Sequence, residues 1–400
     1  MPDVFTVAVV GGGLAGLAAS LALGQAGINV VNIAPAPNRA DGRTTALLAS
    51  SVAFLERLGV WKQIAPLAAP LATIVIIDAT ARLLRAPELA FHASEIGLDA
   101  FGYNIANTML NATLKQACQR TGSVSFVESN LEAAVFDRES QQLQLSSGAR
   151  LRANLVVGAD GRSSAVRRLA AIDTRQWEYP QSALVLEFIH SLPHNNTSVE
   201  FHTSEGPFTF VPLGERRCGL VWVQLPAKAE MRMEHDKAAL AFELERQMHS
   251  MLGKIEIVSP VQAWPLSGLV AQQFGKHGVV LVGEAAHVFA PIGAQGFNLG
   301  MRDVEMLAEL AKSTPLTRLA AIGPEYHKRR AGDIGSRTLS VDLLNRSLLS
   351  DFLPVQMLRL AGLHAISVVG PLRRFLMREG VAPRGMPGFK FSLGKTGNAH

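Results

Sequence analysis

The stretch from Val7 to Ile33, "VAVVGGGLAGLAASLALGQAGINVVNI", decides the fold. Val7 to Val10 is an apolar run without polar alternation, the pattern of a strand buried on both faces. Leu14 to Ala26 reads as a helix and Ile28 to Ile33 as a second strand, with Gly11, Gly13 and Gly16 filling the G-x-G-x-x-G positions between them. That spacing predicts a βαβ dinucleotide-binding unit. The first glycine permits the tight turn, the second lets a pyrophosphate approach the backbone, and the third lets helix and strand pack closely. The free amides of the helix start, at Leu14 and Ala15, then face the phosphates. The competing reading is a tight turn with no ligand. Such a unit usually ends its second strand on an acid that holds the ribose hydroxyls. Ala34 stands there instead, so either another group takes the ribose or the nucleotide is held less tightly.

Two further strands end in the same way. In "HGVVLVGEAAHVFAPIGAQGFNLG" the apolar run Val279 to Val282 leads into Gly283 and Glu284, beside a loop holding Pro291, Ile292, Gly293, Gly296, Asn298 and Gly300. A carboxylate at such a strand end needs a partner or a ligand. "ANLVVGADGRSSAVRRLAAI" brings another apolar strand to Gly158, Asp160 and Gly161, followed by a helix that Ser163 or Ser164 could cap. Arg43 precedes a helix whose apolar face is Leu47, Val52, Leu55 and Leu58 and which Gly59 is placed to end. Arg43 could cap local carbonyls or reach a cofactor, and its place directly after the nucleotide unit favours the cofactor.

Composition narrows the classes. A chain of 400 residues with 48% hydrophobic content predicts an ordered globular protein of two or three domains. Cys118 and Cys218 have no partner at metal-ligand spacing and read as buried, reduced thiols of a cytosolic protein. His190, His194 and His202 lie on or beside predicted strands at spacings that make no metal site. Met1 to Val10 lacks a basic leader, and no apolar run reaches the roughly 18 residues a spanning helix needs, so neither a signal peptide nor a membrane span is expected. The net charge of +5 is uneven: from Ala320 to His400 twelve Lys or Arg meet five Asp or Glu, so that tail carries +7 and the rest −2. Arg373, Arg374 and Arg378 follow an apolar stretch, Leu353 to Val369. This suits a surface attracted to anionic lipid or an acidic partner, or a solvated helix face. No nucleic-acid partner is expected.

Between Trp177 and Trp264 the pattern turns antiparallel. "ALVLEFIHS", "TSVEFHT", "GPFTFVPLG" and "RCGLVWVQLP" are short strands split by turn residues, and Phe208, Phe210 and Pro212 alternate with Thr209 and Val211. "LATIVIIDATARLLRAP" reads as a hairpin turning near Asp78 to Thr80, and "NTMLNATLKQACQRTG" as an amphipathic helix ending at Gly122. The expected division is a discontinuous nucleotide domain (1–70, 101–176, 265–320), an antiparallel substrate domain (71–100, 177–264) and a helical C-terminal region (321–400).

"GGGLAG", "GADGRSS" and "GEAAHVFAPIGAQGFNLG", in that order, resemble the three signatures of class A flavoprotein monooxygenases, over nearly the whole chain. "DGRTTALLASSVAFLERLGVW", "GYNIAN", "FVPL", "PIGAQGFNLGMRD" and "LLNRSLLSDFLP" resemble the bacterial ring hydroxylases of ubiquinone biosynthesis. The resemblance implies an α/β fold, α+β overall: a Rossmann-like, GR2-type FAD-binding domain with an inserted antiparallel-sheet domain and a helical C-terminal region. It implies FAD as cofactor, held by Gly11, Gly13, Leu14, Ala15, Gly16, Arg43, Asp160, Gly283, Glu284, Pro291, Gly293, Gly296 and Asn298. Glu284 would face the ribityl chain, and Asp160 would contact the cofactor domain or a pyridine nucleotide. The family usually has aspartate at Glu284 and arginine at Thr108.

The implied chemistry is reduction of the flavin by transient NAD(P)H, a C4a-hydroperoxide formed with O2, and hydroxylation of a polyprenylated phenol. Phe208, Phe210, Val211, Pro212 and Trp222 would wall the substrate pocket, although core packing is the competing role and the stronger one for Trp222. His287 reads as packing rather than catalysis, because no Ser or Asp completes a nucleophilic arrangement. No catalytic side chain is assigned. The expected location is cytoplasmic, peripheral on the inner membrane through the basic tail, with a ubiquinone-biosynthesis complex as a further partner. A flavin-dependent halogenase lacks its W-x-W-x-I-P segment here, and an NAD-dependent dehydrogenase leaves Asp160 and Glu284 unexplained. A scaffold subunit without firm FAD binding is the third alternative, motivated by Ala34, Thr108 and Glu284.

Overall fold

Val7, Ala8 and Val9 are fully buried, as are Leu155 to Val157 and Val279 to Val282, so the apolar runs form the centre of one sheet. The computed structural model describes residues 3–36, 42–80, 87–138, 140–289, 295–349, 364 and 369–381. Along the chain run β1 (Asp3–Val10), α1 (Leu14–Gln25), β2 (Val30–Ala34), β3 (Thr44–Leu48), α2 (Ala49–Arg57), β4 (Thr73–Asp78), β5 (Leu89–His92), β6 (Gly102–Ala106), α3 (Asn107–Arg120), β7 (Val124–Glu128) and β8 (Arg150–Gly158). Then come α4 (Ala165–Leu169), β9 (Thr174–His190), β10 (Thr197–His202), β11 (Pro207–Gly214), β12 (Arg217–Gln224), α5 (Pro226–Glu234), α6 (Lys237–Gln247), β13 (Gln262–Ala271) and β14 (Val279–Leu281). The helices α7 (Gln295–Ser313), α8 (Gly323–Leu349) and α9 (Gly370–Val381) follow.

The first sheet sets β14, β8, β1, β2 and β7 side by side, all parallel. Val10 is level with both Gly158 and Ile33, and Gly158 with Leu281. The three glycine-bearing turns therefore leave the same edge of the sheet, at the carboxyl ends of its strands, where open α/β sheets bind ligands.

The second sheet has the order β13, β9, β12, β11, β10, β4, β5, antiparallel except where β10 meets β4. β9 and β13 are long and run across the expected limits at 176/177 and 264/265. β4 returns through β5 only at Leu89, later than the expected hairpin; 81–86 lie outside the described residues. The pleat gives the sheet two different faces. Leu184, Leu186, Phe188, Phe208, Phe210, Leu220 and Trp222 pack with Leu240, Leu244 and Met248 of the α6 region. On the other face Ala183, Val223 and Leu266 cluster with Val185, Val221, Tyr179 and Phe289, the last of these just beyond the Gly283–Glu284 turn. Both cysteines are free and buried.

Candidate active site

The glycines of the first turn divide by what a side chain would meet. At Gly11, whose φ is +131°, a Cβ would lie 2.1 Å from the Ala159 carbonyl oxygen, and at Gly16 it would lie 2.0 Å from the Gly11 carbonyl oxygen. Both are closed by the protein itself. Among the described residues, a Cβ on Gly13 would meet nothing within 4 Å, nor would one on Gly296 at the start of α7. Open space therefore lies beside Gly13, which is the N-cap of α1, and α1 has neither a side-chain cap nor an acid in its first turn. The amides of Leu14, Ala15 and Gly16 are left for an anion.

Two residues that sequence reasoning missed hold this turn. Asn32 Nδ2 donates to the Gly11 carbonyl and to Ser20 Oγ, both at 3.0 Å, and Asn111 Nδ2 donates to the Gly12 carbonyl at 3.2 Å. Asn32 was recoverable in principle, because a lone amide in the apolar strand "VVNIA" requires buried partners.

Gly283 takes the left-handed φ of +59° and presses on α1, where its Cβ would stand 3.0 Å from Ala15 Cβ. Its amide donates to Asp303 Oδ2 at 3.0 Å. Asp303 is fully buried and also accepts from His287 Nε2 at 2.7 Å and Arg330 Nε at 2.8 Å. Burial pushes its pKa up, but His287 and Arg330 prevail and hold it below the usual carboxylate range. His287 is thus tied to α7 by an aspartate that the sequence reading did not find for it, and is stacked on Phe289 at 5.2 Å. Glu284 follows with its side chain 58% exposed, and its Oε1 lies 4.0 Å from Arg43 Nη1.

Asp160 and Asn298 have other duties in addition to their place at the site. Asp160 caps α4, accepting from Ser164 Oγ at 2.5 Å and from the amides of Ala165 and Val166 at 2.7 and 3.1 Å. Ser164 is the N-cap, accepting from the Arg167 amide at 3.0 Å. The buried Arg167 then donates to the Ala285 carbonyl at 2.7 Å, joining this turn to the one carrying Glu284. Asn298 accepts from the Leu48 amide and Ser51 Oγ at 2.9 and 2.7 Å and donates to the Ala46 carbonyl at 2.7 Å, locking α7 to β3 and α2. Pro291, Ile292 and Gly293 lie outside the described residues.

The expected pocket wall is corrected by the pleat. Phe208, Phe210 and Trp222 point into the core under α6, and Trp222 carries the Arg232 guanidinium 4.0 Å above its ring. Pro212 is register-paired with Cys218 of that same core. Val211 pairs with Gly219, whose Cβ would stand 3.3 Å from Thr44 Oγ1, so Val211 alone of the five shares the face turned toward β3.

An open second glycine, an uncapped helix start and a cation at the strand edge fit a dinucleotide cofactor, and the apolar sheet face beside it fits an aromatic substrate. Fold and site together define an FAD-dependent aromatic monooxygenase. The family model described as "FAD binding domain" matches residues 4–330, and the chain belongs to that family. It is 32% identical to ubiquinone hydroxylase UbiL of Rhodospirillum rubrum, with 94% of this chain and 89% of that one covered. It is 33% identical to 3-demethoxyubiquinol 3-hydroxylase of Escherichia coli, with 92% and 96% covered. Among solved structures, p-nitrophenol 4-monooxygenase PnpA of Pseudomonas putida superposes with a TM-score of 0.78 at 19% identity, with 96% and 100% covered. PqsL of P. aeruginosa superposes with a TM-score of 0.76 at 23% identity, with 90% and 100% covered.

Proposed function

We propose that the chain hydroxylates the aromatic ring of a polyprenylated phenol in ubiquinone biosynthesis, using O2 and NAD(P)H. The observation that carries this reading is the half-buried apolar face of the second sheet, Val185, Val211 and Val221 with Phe289, set beside the Gly283–Glu284 turn. The names of the two bacterial relatives supply the substrate class. Bound FAD supplies two-electron reduction by NAD(P)H and activation of O2 toward an electron-rich ring. In this reading Gly13 and the first amides of α1 hold the pyrophosphate, Arg43 adds a cation, and Glu284 faces the ribityl hydroxyls. The valines and Phe289 keep water from the reacting ring and leave its orientation to shape. Complementation of bacterial strains each lacking one ring hydroxylase, with quinone intermediates measured, assigns the carbon attacked. Failure to restore quinone in every strain refutes the reading.

We also infer peripheral contact with an anionic membrane through α9. No described helix is long and apolar enough to cross a membrane. Met377 and Val381 of α9 pack with Ala93, Ile96 and Phe101, while Val369, Leu372, Phe375 and Leu376 are each about 40% exposed. Arg373 is not available to headgroups: it makes a bidentate pair with Glu95, both contacts at 2.7 Å, and stacks 4.5 Å from the Phe91 ring centroid. Arg374 is exposed, which supports a headgroup contact for it, whereas Arg378 is half-buried. The stretch 353–368 before α9 lies outside the described residues apart from His364. Changing Leu372, Leu376 and Arg374 together to acids lowers sedimentation with anionic liposomes at unchanged flavin content. A parent protein that ignores the liposomes reassigns this face to a protein partner.

A further inference from the structure

Arg43 belongs to the cofactor side by sequence, yet its surroundings come from the substrate sheet. A Cβ on Gly42 would lie 3.3 Å from Gln262 Oε1 of β13, and one on Gly219 of β12 would lie 3.3 Å from Thr44 Oγ1. The residues on both sides of Arg43 thus run close against two strands of the antiparallel sheet. The Arg43 carbonyl accepts from the Asn107 amide at 3.0 Å, which fixes its backbone from α3. Its guanidinium carbon lies 5.6 Å from the ring centroid of Trp264 on β13, within cation–π range, and its Nη1 reaches to 4.0 Å from Glu284. Trp264 is 43% exposed, whereas Phe188, Phe201, Phe208, Phe210 and Trp222 of the same sheet are buried.

We propose that Trp264 is a positioning residue for FAD: it holds the Arg43 guanidinium by cation–π contact at the edge where the cofactor's phosphates and ribityl chain are bound. The inference rests on Arg43 contacting FAD. An unsupported arginine samples many rotamers, and ordering it on binding costs affinity. The indole face removes part of that freedom before the cofactor arrives. Because the ring belongs to the substrate sheet, FAD affinity then depends on β13, a strand that the expected division splits at 264/265 with Trp264 on the substrate side.

The test is a double-mutant cycle on apoprotein, read as the FAD dissociation constant from quenching of FAD fluorescence, with no turnover involved. Arg43→Ala is expected to weaken FAD roughly ten-fold or more, the scale of a charge-assisted hydrogen bond. Trp264→Ala is expected to weaken it about two- to five-fold, the scale of an exposed cation–π contact. In the Arg43→Ala background the Trp264→Ala change is expected to have no further effect, and Trp264→Phe, which keeps an aromatic face, recovers most of the parent affinity. If Arg43→Ala leaves FAD affinity intact, the assignment of Arg43 to the cofactor is wrong. If Arg43→Ala weakens FAD but Trp264→Ala does not, or if Trp264→Ala costs the same with and without Arg43, the arginine assignment stands and the positioning role of Trp264 is overturned.

Discussion

Substituting the three glycines of the first turn one at a time should separate folding from cofactor binding. Alanine at Gly16 places a carbon 2.0 Å from the Gly11 carbonyl oxygen, and alanine at Gly11 places one 2.1 Å from the Ala159 carbonyl oxygen at a φ of +131°. Overpacking costs about 1–3 kcal/mol, and a forbidden φ adds about the same at Gly11. Gly16→Ala therefore removes roughly 1–3 kcal/mol and Gly11→Ala roughly 2–6, from a total of roughly 5–15. Gly13 differs, because its φ of −80° and ψ of 180° suit any residue and its Cβ meets nothing. Alanine at this N-cap costs up to about 1 kcal/mol relative to glycine. Lower entropy of the unfolded chain returns about 0.4–1 kcal/mol, so the net change is close to zero. Gly13→Val should then leave urea unfolding of the apoprotein within about 1 kcal/mol of the parent while filling the pyrophosphate path. The loss of FAD affinity should be on the order of 100-fold, about 2.8 kcal/mol. Undiminished FAD binding by Gly13→Val, or a loss of apoprotein stability as large as that of Gly16→Ala, would refute the assignment of the open space to the cofactor.

Asp303→Asn removes the fully buried carboxylate shared by Arg330 and His287, leaving Arg330 only Asp333 as a charge partner among the described residues, and should cost about 3–5 kcal/mol in urea unfolding; a loss under about 1 kcal/mol would show that the network around Gly283 is dispensable. Phe208→Ala empties a fully buried site and should cost about 3–5 kcal/mol, whereas Val211→Ala, half-buried on the cofactor side, should change substrate KM more than stability, and the reverse outcome would invert the two faces. Arg373 holds the Glu95 carboxyl down from 4.5 to about 2, so the stabilising contact is complete above the ordinary value and is lost as pH falls toward about 2. The protection of α9 amides, taken relative to the intrinsic exchange rate at each pH, should therefore fall across that acid window and stay constant in Glu95→Gln; equal protection at both ends counts against the clasp. Ala34→Glu should tighten FAD by supplying an acid at the end of β2, and an unchanged dissociation constant would point to Glu128, its register partner on β7.

β1, β8 and β14 of the parallel sheet could be read from the sequence because their carboxyl ends are buried on both faces and run apolar into glycine; β2 was readable despite Asn32, and the edge strand β7, with Ser125, Phe126 and Glu128 exposed, was not read. The antiparallel strands were equally readable one by one, and the alternation of Phe208, Phe210 and Pro212 with Thr209 and Val211 was correct. Which face met the cofactor was not readable. Both faces of that sheet are apolar, one under α6 and one toward Phe289, so hydrophobicity carries no sign of direction. Large aromatic residues drew the pocket assignment, but they lie on the side packed by helices; in the proposed reading the wall that leaves room for a ring is built of the valines on the other face. Asp160 illustrates a second limit. Its position at a strand end was evident, but a carboxylate three to six residues before free helix amides is also a cap, and only the backbone geometry shows that α4 takes both its oxygens.

Ala34 and Thr108 depart from what the resemblance implies, and magnitudes decide how much that matters for an FAD enzyme. A micromolar dissociation constant corresponds to about 8 kcal/mol, while one charge-assisted hydrogen bond contributes about 1.5–3 kcal/mol. Losing one such contact weakens binding by roughly ten- to 150-fold without abolishing it. What remains is spread over segments far apart in sequence: the uncapped start of α1, the open Gly13 and Gly296, Arg43 with Trp264 beneath it, and Glu284. Under the proposed assignment no single one of these supplies the whole affinity, so the substitutions are expected to loosen the cofactor rather than exclude it. Under the proposed role of Trp264, Arg43 lies in the loop before β3 while its support stands on β13, so a ligand that shifts β13 would by linkage alter FAD affinity, and FAD would alter that ligand's affinity by the same factor.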